Sequence, residues 1–323
     1  MKAIVQEKYG APDSLRLEDA GEPVAGDGEV LVRVRAAALN PADWHILRGS
    51  PVIARPGMGW TRPGHRIAGT DAAGVVERVG AGVSDVAVGD EVYGYVAGAF
   101  AERAVGSAGK LAPKPPNLTF AEAAALPIAA TTALRGIRDV AKVRAGQRVL
   151  ITGASGGVGH FAVQVAVALG AEVSAVCSAA NADLVRELGA EHVIDYRVQD
   201  FTAGPERYDA ILDNASRKSP NVVRRALTPT GVLVLNDGGT PGGLLGPLGP
   251  MLRGVALNRF VGQTISLLPT REDRSNLLEV NQLVAEGRLR PVISRTWTLP
   301  ETAQALAELE QGHTRGKAVI EIP

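Results

Sequence analysis

A run of small residues between an apolar segment and a helical one is the stretch best suited to chemistry. The chain reads VLITGASGGVG from Val149 to Gly159. Glycine lets a backbone approach a pyrophosphate closely, and the N–H groups that open a helix favour phosphate. We expect a strand, this turn, and a helix from Val158 to Leu169 that stops at Gly170. The sequence therefore predicts a dinucleotide site formed by Ala154, Ser155, Gly156, Gly157, Val158 and Gly159.

The match to the dinucleotide fingerprint G-x-G-x-x-G is imperfect, because its first position falls on Ala154. A second strand-like run from Glu172 to Ser178 completes a βαβ unit, whose right-handed crossover places the two strands parallel. This context favours a phosphate turn. The alternative is a tight connection that binds nothing.

The end of the second strand bears on which cofactor is bound. An NAD site places a carboxylate there for the ribose hydroxyls, and that charge repels a 2′-phosphate. The chain carries no acid between Val176 and Asn181, and Ser178 can donate to a phosphate. NADPH is therefore predicted, with NADH weaker, and Ser178 and Asn181 are candidate contacts. No basic residue stands from Ala179 to Asn181, so weakly selective use of both cofactors is the alternative.

Length and composition narrow down the class of protein to which the chain can belong. A chain of 323 residues favours two domains, and 46% apolar content with 4% aromatic residues suits an α/β protein. The formal charge is zero without a basic block, which argues against nucleic acid as a partner. Cys177 is the only cysteine, which excludes an internal disulfide and any zinc site that needs two thiolates.

The first part of the chain is expected to be β-structure in a partly open barrel. Strand-like segments run from Val30 to Arg35, Ala72 to Val79 and Asp90 to Tyr95. A helix is expected after Thr119, which forms a capping box with Glu122. The N-terminus begins as a strand without a signal-peptide pattern, and no apolar run reaches membrane-spanning length. We therefore expect a soluble cytoplasmic protein without a membrane partner.

Strands and helices then alternate, which predicts a parallel, doubly wound sheet. The expected strands are 192–196, 208–213, 232–236, 296–299 and 318–322, and the expected helices are 182–188, 221–227, 277–286 and 301–309. The stretch from Gly238 to Pro250 is rich in Gly and Pro, and we expect a mobile loop; loops of this length are usually either functional, for example as a lid, or disordered.

Several of these motifs resemble those of the medium-chain dehydrogenase/reductases, and the whole chain is most similar to their zinc-free quinone oxidoreductase branch. The motifs are NPADW at 40–44, GTDAAGVV at 69–76, VGAGV at 79–83, VGDEV at 88–92 and GASGGVG at 153–159. The resemblance implies a GroES-like catalytic domain from residues 1–127 and 270–323. It also implies a Rossmann cofactor-binding domain from 128–269 and an active site in the cleft between the two domains.

Residue roles follow from the resemblance. It assigns Asn40 and Thr132 to the nicotinamide and its ribose, and Ser178 and Tyr196 to the 2′-phosphate. The Asn214 turn and the pair Gly238 and Gly239 would border the cofactor, and Lys317 would face the cleft. For Thr132 the alternative is a helix residue bonded to its own backbone, and for Lys317 it is a solvated lysine.

Zinc-dependent members of this family place a cysteine where this chain has Asn40, and they carry a four-cysteine lobe that this chain lacks. His65 resembles a zinc-ligand histidine in context, but without thiolate partners it is expected to be a cleft-wall or structural residue. His45 is expected to be an ordinary hydrogen-bonded or solvent-facing histidine.

Three functions remain open at this point. The first is an NADPH-dependent reductase of quinones or α,β-unsaturated carbonyls, since a conjugated acceptor needs no metal to polarise it. The second is an alcohol or aldehyde dehydrogenase, and the third is a nucleotide-binding redox-sensing or structural protein with little turnover. A homodimer is also expected, because in the family the strand at Gln263–Leu268 pairs with its copy across a two-fold axis.

Overall fold

The computed structural model describes residues 1–236, 248–269, 271–312 and 314–323. The chain forms two compact units: Met1–Thr131 with Arg271–Pro323, and Thr132–Thr270. The sequence placed the two changes of domain after residues 127 and 269. No described helix is long and apolar enough to cross a membrane.

The strands, numbered along the chain, are β1 Lys2–Val5, β2 Arg16–Asp19, β3 Glu29–Ala38, β4 Asp71–Val79, β5 Glu91–Tyr95, β6 Arg103–Ser107, β7 Leu111–Pro113, β8 Arg148–Thr152, β9 Glu172–Cys177, β10 His192–Asp195, β11 Tyr208–Asp213, β12 Leu227–Leu235, β13 Thr264–Leu267, β14 Ile293–Thr298 and β15 Lys317–Glu321. The α-helices are α1 Pro41–Arg48, α2 Arg55–Met58, α3 Phe120–Ala124, α4 Pro127–Leu134, α5 Gly159–Ala168, α6 Ala182–Glu187, α7 Pro220–Val223, α8 Leu248–Ala256, α9 Arg274–Ala285 and α10 Thr302–Glu310.

The first unit is organised by a mixed sheet in the order β14-β15-β3-β4-β5-β7, with β6 also paired to β3. The central strand β3 contains the expected segment Val30–Arg35. Buried and exposed residues alternate in it only from Val32 to Arg35, because Leu31, predicted on the same face as the two arginines, is buried beside Val30. Strand β15 runs antiparallel to β3, so the last strand of the chain lies beside one of the first. This pairing brings the two ends of the chain into one sheet.

The helix expected after Thr119 is present as α3. The Thr119 hydroxyl accepts from the Glu122 N–H at 3.2 Å, and the Glu122 carboxylate accepts from the Thr119 N–H at 2.8 Å. These bonds satisfy two of the donors that a helix start leaves free, which confirms the capping box.

The second unit is a parallel sheet in the order β10-β9-β8-β11-β12-β13. This is the doubly wound order in which the strand sequence reverses between β8 and β11, and ligands of such sheets bind beyond the carboxyl ends of the strands at that point. A core that includes Leu150, Ile211, Leu233 and Ile265 packs within the unit. The predicted parallel sheet is confirmed.

Three element predictions in this unit differ from the structure. The helix expected at 221–227 is shorter, because α7 has only four residues and a 3-10 turn follows it. Strand β12 begins at Leu227, five residues before the expected start. Helix α8 begins at Leu248, within the stretch predicted as a mobile loop, because Gly249 and Pro250 fall in its first turn, where proline is tolerated. Residues 237–247 of that predicted loop lie outside the described residues.

Candidate functional site

The glycine-rich turn joins the end of β8 to the start of α5. Gly153 has a φ of 60°, in the left-handed region that favours glycine. A Cβ on Gly159 would lie 2.1 Å from the Gly153 carbonyl oxygen, whereas one on Gly156 would lie 3.2 Å from the same atom. Gly159 is therefore required by the packing of the helix on the turn. Val158 is the N-cap residue of α5 and Leu169 is its C-cap; Gly170, which follows, has a φ of 80°.

The turn is tied to the end of β9. The Ala154 N–H donates to the Val176 carbonyl at 3.1 Å. The Asn181 amide donates to the Ser155 hydroxyl at 3.0 Å and lies 3.4 Å from the Ser178 hydroxyl. The structure thus brings together Ser155, Ser178 and Asn181, three residues that the sequence predicted separately for the same ligand.

A basic residue, Arg197, follows the neighbouring strand β10, whereas residues 179–181 include none. Strand β10 pairs with β9 so that Asp195 is opposite Cys177, and Tyr196 and Arg197 follow it. Tyr196 is 55% exposed, and the Arg197 guanidinium lies 5.9 Å from its ring centroid. The Asp195 carboxylate accepts from the Arg197 backbone N–H at 3.0 Å. The sequence indicated no basic candidate because Arg197 follows β10, a different strand from the one that ends before Ser178.

A network of hydrogen bonds connects the ends of β8 and β11, where the strand order reverses. The Thr152 hydroxyl donates to the Asp213 carboxylate at 2.7 Å and accepts from the Asn214 N–H at 2.9 Å. The Asn214 side chain donates to the Thr152 carbonyl at 3.0 Å and accepts from Asn236 at 2.7 Å. Asn214 therefore lies at the expected edge, but both ends of its amide fix the loop. Thr152 and Asp213 had no predicted role.

Two neighbouring threonines in α4 behave differently. The Thr131 hydroxyl donates back to the Pro127 carbonyl at 2.6 Å and lies 2.9 Å from the Tyr95 hydroxyl. Thr132 is 8% exposed, and its hydroxyl makes no hydrogen bond among the described residues. The back-bonded alternative considered for Thr132 applies to Thr131 instead, which leaves the Thr132 hydroxyl available to a ligand.

Four buried polar residues meet at one end of the first unit's sheet. Lys317 on β15 donates to the Leu39 carbonyl at 2.7 Å and to the Asn40 amide oxygen at 2.5 Å. The Asn40 amide nitrogen donates to the Asp71 carboxylate at 2.9 Å, and the Asn40 backbone N–H donates to the Asp43 carboxylate at 2.7 Å. Lys317 is 3% exposed, so the solvated alternative for this lysine is wrong.

Burial shifts every titratable group in this cluster. It raises the pKa of Asp43 to about 7, opposed by the hydrogen bond from Asn40 and reinforced by the charge of Asp71. It raises the pKa of Asp71 to about 6, opposed by the charge of Lys317. Burial lowers the pKa of Lys317, opposed by Asp71 and Asp43. Burial therefore brings the pKa values of both carboxyls closer to neutral pH than those of exposed carboxyls.

The histidines lie apart from this cluster. His65 is exposed, and the neighbouring Arg66 pairs with Glu7 and Glu18. The His45 ring stacks on Trp44 at 3.6 Å between centroids and lies 3.0 Å from the Ser50 carbonyl. Gly238 and Gly239 lie outside the described residues.

Comparisons with known proteins decide the family. Residues 26–116 match the family "Alcohol dehydrogenase GroES-like domain", and residues 188–320 match "Zinc-binding dehydrogenase". A chloroplastic quinone-oxidoreductase homolog of Spinacia oleracea is 33% identical over 99% of this chain and 98% of its own. The chain belongs to the medium-chain dehydrogenase/reductase superfamily, in its quinone oxidoreductase branch.

Other members of the superfamily agree with this assignment. A mitochondrial NAD(P)H oxidoreductase of Mus musculus is 34% identical over 100% of this chain and 89% of its own. A 2-methylene-furan-3-one reductase of Solanum lycopersicum is 32% identical over 99% and 79%. This medium-chain dehydrogenase/reductase is thus an NAD(P)H-dependent oxidoreductase.

Solved structures of the superfamily confirm the fold. The quinone oxidoreductase of Coxiella burnetii superposes with a TM-score of 0.89 at 31% identity and covers 100% of this chain and 99% of its own. The Escherichia coli quinone oxidoreductase, complexed with NADPH, gives 0.84 at 25% identity with 100% of both chains covered. The predicted GroES-like and Rossmann folds are therefore both confirmed.

Proposed function

We propose that this medium-chain dehydrogenase/reductase is a zinc-independent, NADPH-dependent reductase of quinones or α,β-unsaturated carbonyls. The observation that carries the proposal is the bond from the buried Lys317 ammonium to the Asn40 amide. Asn40 stands where zinc-dependent members of the family place a cysteine. An ammonium bonded at that position does not fit a divalent cation, because the two positive charges would repel.

The rest of the donor set also argues against a zinc centre. Cys177 is buried in β9, in the other unit, and His65 is exposed. Among the described residues, the one group of three potential metal ligands is Glu172, Glu191 and His192 on the surface of the second unit, with the Arg148 guanidinium 3.7 Å from Glu172. The single buried thiol, Cys177, therefore has no cysteine partner, and the group of three ligands contains no thiolate.

The residues of the second unit fit a dinucleotide with a 2′-phosphate. The Gly153–Gly159 turn and the ten-residue helix α5 offer backbone N–H groups to a pyrophosphate. Ser178, Asn181, Tyr196 and Arg197 supply hydroxyl, amide and guanidinium donors at the neighbouring strand ends. When bound, the reduced nicotinamide would supply a hydride; the protein's residues supply binding and orientation.

Without a metal, the protein must stabilise developing negative charge with hydrogen bonds alone. A conjugated acceptor spreads this charge along its system, so it needs less polarisation than a simple ketone or aldehyde. The relatives from spinach and tomato are named for a quinone and for an unsaturated furanone, which supports a conjugated acceptor for this chain. A plain alcohol dehydrogenase reaction is disfavoured by the same argument.

The position of the transferred hydride tests this proposal. An enone is reduced with NADPH deuterated at C4, and the product is analysed by NMR. We expect the deuterium on the β-carbon of a saturated ketone, and activity that a chelator does not remove. Deuterium on the carbinol carbon of an allylic alcohol, or zinc-dependent recovery after chelation, would show an alcohol dehydrogenase instead. Tight NADPH binding without turnover of any acceptor would favour a redox-sensing protein.

A further inference from the structure

The buried cluster of the first unit holds Asn40 through contacts that the sequence did not predict. Asn40 is the N-cap residue of α1, where a side-chain oxygen commonly accepts from the first turn of the helix. Asn40 and Asp43 form a capping box, and the Asp43 carboxylate accepts from the Asn40 backbone N–H. The Asn40 amide oxygen also accepts from Lys317. The Asn40 side chain is thus held both by the start of its own helix and by charged residues of other strands.

The chemistry of the two partners fixes which way the amide points. An ammonium has only donors, so the group that faces Lys317 must be the amide oxygen. An ionised carboxylate has only acceptors, so the group that faces Asp71 must be the amide nitrogen. A flipped amide would set its NH₂ against the ammonium and its oxygen against the carboxylate, and two favourable bonds would become two repulsive contacts.

One donor of the amide remains weakly engaged. The second hydrogen of the Asn40 nitrogen has the Ala38 carbonyl as its acceptor at 3.4 Å, beyond the usual range for a strong bond. The Asp71 carboxylate also accepts from the Ile128 backbone N–H at 3.1 Å, while its other oxygen is buried without a partner among the described residues. The arrangement therefore favours an Asn40 that donates rather than accepts.

We propose that Lys317 and Asp71 are positioning residues that together fix the Asn40 amide so that it presents an N–H donor to an oxygen of the acceptor. We call this pair the Asn40 clamp. The inference rests on the proposed reductase function and goes beyond it, because it assigns the two charged residues a role and determines the sense of the Asn40 hydrogen bond. The oxygen it would serve is the acceptor oxygen on which negative charge develops.

Substitutions at the clamp test this role through steady-state kinetics. Lys317→Met removes the ammonium, Asp71→Asn removes the obligatory acceptor, and Asn40→Ala removes the amide. We expect each to lower kcat by about 10–100-fold, in the range of a lost oxyanion donor, with KM for NADPH changed by less than about threefold. Because all three act through one amide, the Lys317→Met/Asp71→Asn double variant should be no slower than either single variant.

The control is Lys114→Met. The Lys114 side chain is 6% exposed and donates to the Pro115 and Leu118 carbonyls at 3.2 and 2.7 Å. This substitution also removes a buried ammonium from carbonyl partners, so it should lower the melting temperature while leaving kcat unchanged. If Lys317→Met and Asp71→Asn behave like Lys114→Met, with normal kcat and reduced stability, the positioning role is wrong.

A measurement without an acceptor separates the clamp from the reductase activity. In protein labelled with ¹⁵N-asparagine, the Asn40 side-chain amide is assigned from its loss in Asn40→Ala. We expect its two hydrogens to have widely separated shifts in the wild type and to converge in Lys317→Met and Asp71→Asn. An Asn40 amide spectrum that neither substitution changes overturns the clamp. A wild type that binds NADPH but reduces no quinone or enone overturns the proposed function, and the clamp is then judged on the amide spectrum.

Discussion

A substitution at Arg197 is the most direct test of the preference for NADPH over NADH. The Arg197 guanidinium lies beside Tyr196 at the end of β10, one strand away from Ser178. A guanidinium pairs with a phosphate but has little to offer a free ribose hydroxyl. We expect Arg197→Gln to weaken NADPH binding by about tenfold, or about 1.4 kcal/mol, and to leave NADH binding nearly unchanged. Cofactor fluorescence titration measures both constants.

Arg207→Gln is the matched control, since Arg207 immediately precedes β11 and so lies at the amino ends of the parallel strands, whereas Arg197 follows the carboxyl end of β10. It should change neither constant. Ser178→Asp should reverse the preference in favour of NADH, because the new carboxylate repels a 2′-phosphate. A wild-type protein that prefers NADH tenfold would show that this strand end has been misinterpreted.

Asp43 should make stability depend on pH. Its pKa is raised from 3.8 to about 7, so the folded state holds the proton more tightly than the unfolded state does. The contribution of this group to stability is then complete below about pH 4 and declines as the pH rises to about 7. The charged groups that act on Asp43 are Asp71 and Lys317. Asp71, whose pKa is also raised, contributes a decline of the same sign.

Asp43→Asn should reduce this decline. The amide stays neutral, and its oxygen can still accept from the Asn40 N–H. We expect the fall in the free energy of unfolding between pH 5 and 8 to shrink by on the order of 1–4 kcal/mol. Urea titrations at several pH values measure it. The exposed Asp183→Asn serves as a control, and an unchanged pH dependence in Asp43→Asn would contradict the argument.

The sequence identified some of these residues and not others, for physical reasons. Asn40 and Lys317 were recognisable from the family motifs, but their contact depends on β15 pairing with β3, across 277 positions of the chain. Asp71 and Asp43 are polar residues in apolar surroundings, and no local pattern shows that a carboxylate is buried. Arg197 was missed because it follows β10, whose register on β9 places Asp195 opposite Cys177, and register is a tertiary property.

Among the elements, the turn between β8 and α5 contains two glycines, Gly156 and Gly159, that are needed for different reasons. A Cβ on Gly159 would lie 2.1 Å from the Gly153 oxygen and 2.8 Å from the Ala154 Cα, so the turn must shift. We expect Gly159→Ala to cost about 1–3 kcal/mol of stability and to weaken NADPH binding as well. Gly156→Ala meets the Gly153 oxygen at 3.2 Å, so it should weaken binding with a smaller loss of stability.

Gly57→Ala is the control for this pair, because a Cβ there would meet nothing within 4 Å. Thermal unfolding and NADPH titration of the three variants give the comparison. Equal losses of stability in Gly156→Ala and Gly159→Ala would remove the distinction between a glycine needed for packing and one needed for the ligand.

Element types were largely predictable where one local signal dominated. The strand-like run at Val30–Arg35, the capping box of α3 and the glycine that ends α5 are each local patterns, and the structure contains each of these elements. Helix α8 was missed because Gly249 and Pro250 signal a loop when their position within a helix is unknown. The early start of β12 at Leu227 follows from its pairing with β11 at Tyr208, and Thr228, Pro229 and Thr230 give no strand signal of their own.

At the scale of the whole molecule, the assembly of subunits depends on β13, the last strand in the sheet order of the second unit. The Leu268 N–H donates to the Leu235 carbonyl of β12, so by alternation Ile265 and Leu267 direct their backbone groups away from β12. The Asn258 side chain accepts from the Ile265 N–H at 2.7 Å and donates to the Ile265 carbonyl at 2.9 Å. It therefore occupies the edge at Ile265 and leaves Leu267 for pairing.

We predict a homodimer in which this edge pairs with its copy from Leu267 onward, since an uncovered strand edge favours association. Leu267→Pro removes an N–H that faces away from β12, so the ladder within the unit should survive while the dimer dissociates. Leu267→Ala is the control, because it shortens the same side chain and keeps the N–H. Asn258→Ala should free the Ile265 groups and leave the dimer intact or strengthen it. Light scattering at micromolar concentration measures all four proteins; a monomeric wild type, or a Leu267→Pro variant that stays dimeric, would contradict pairing through β13.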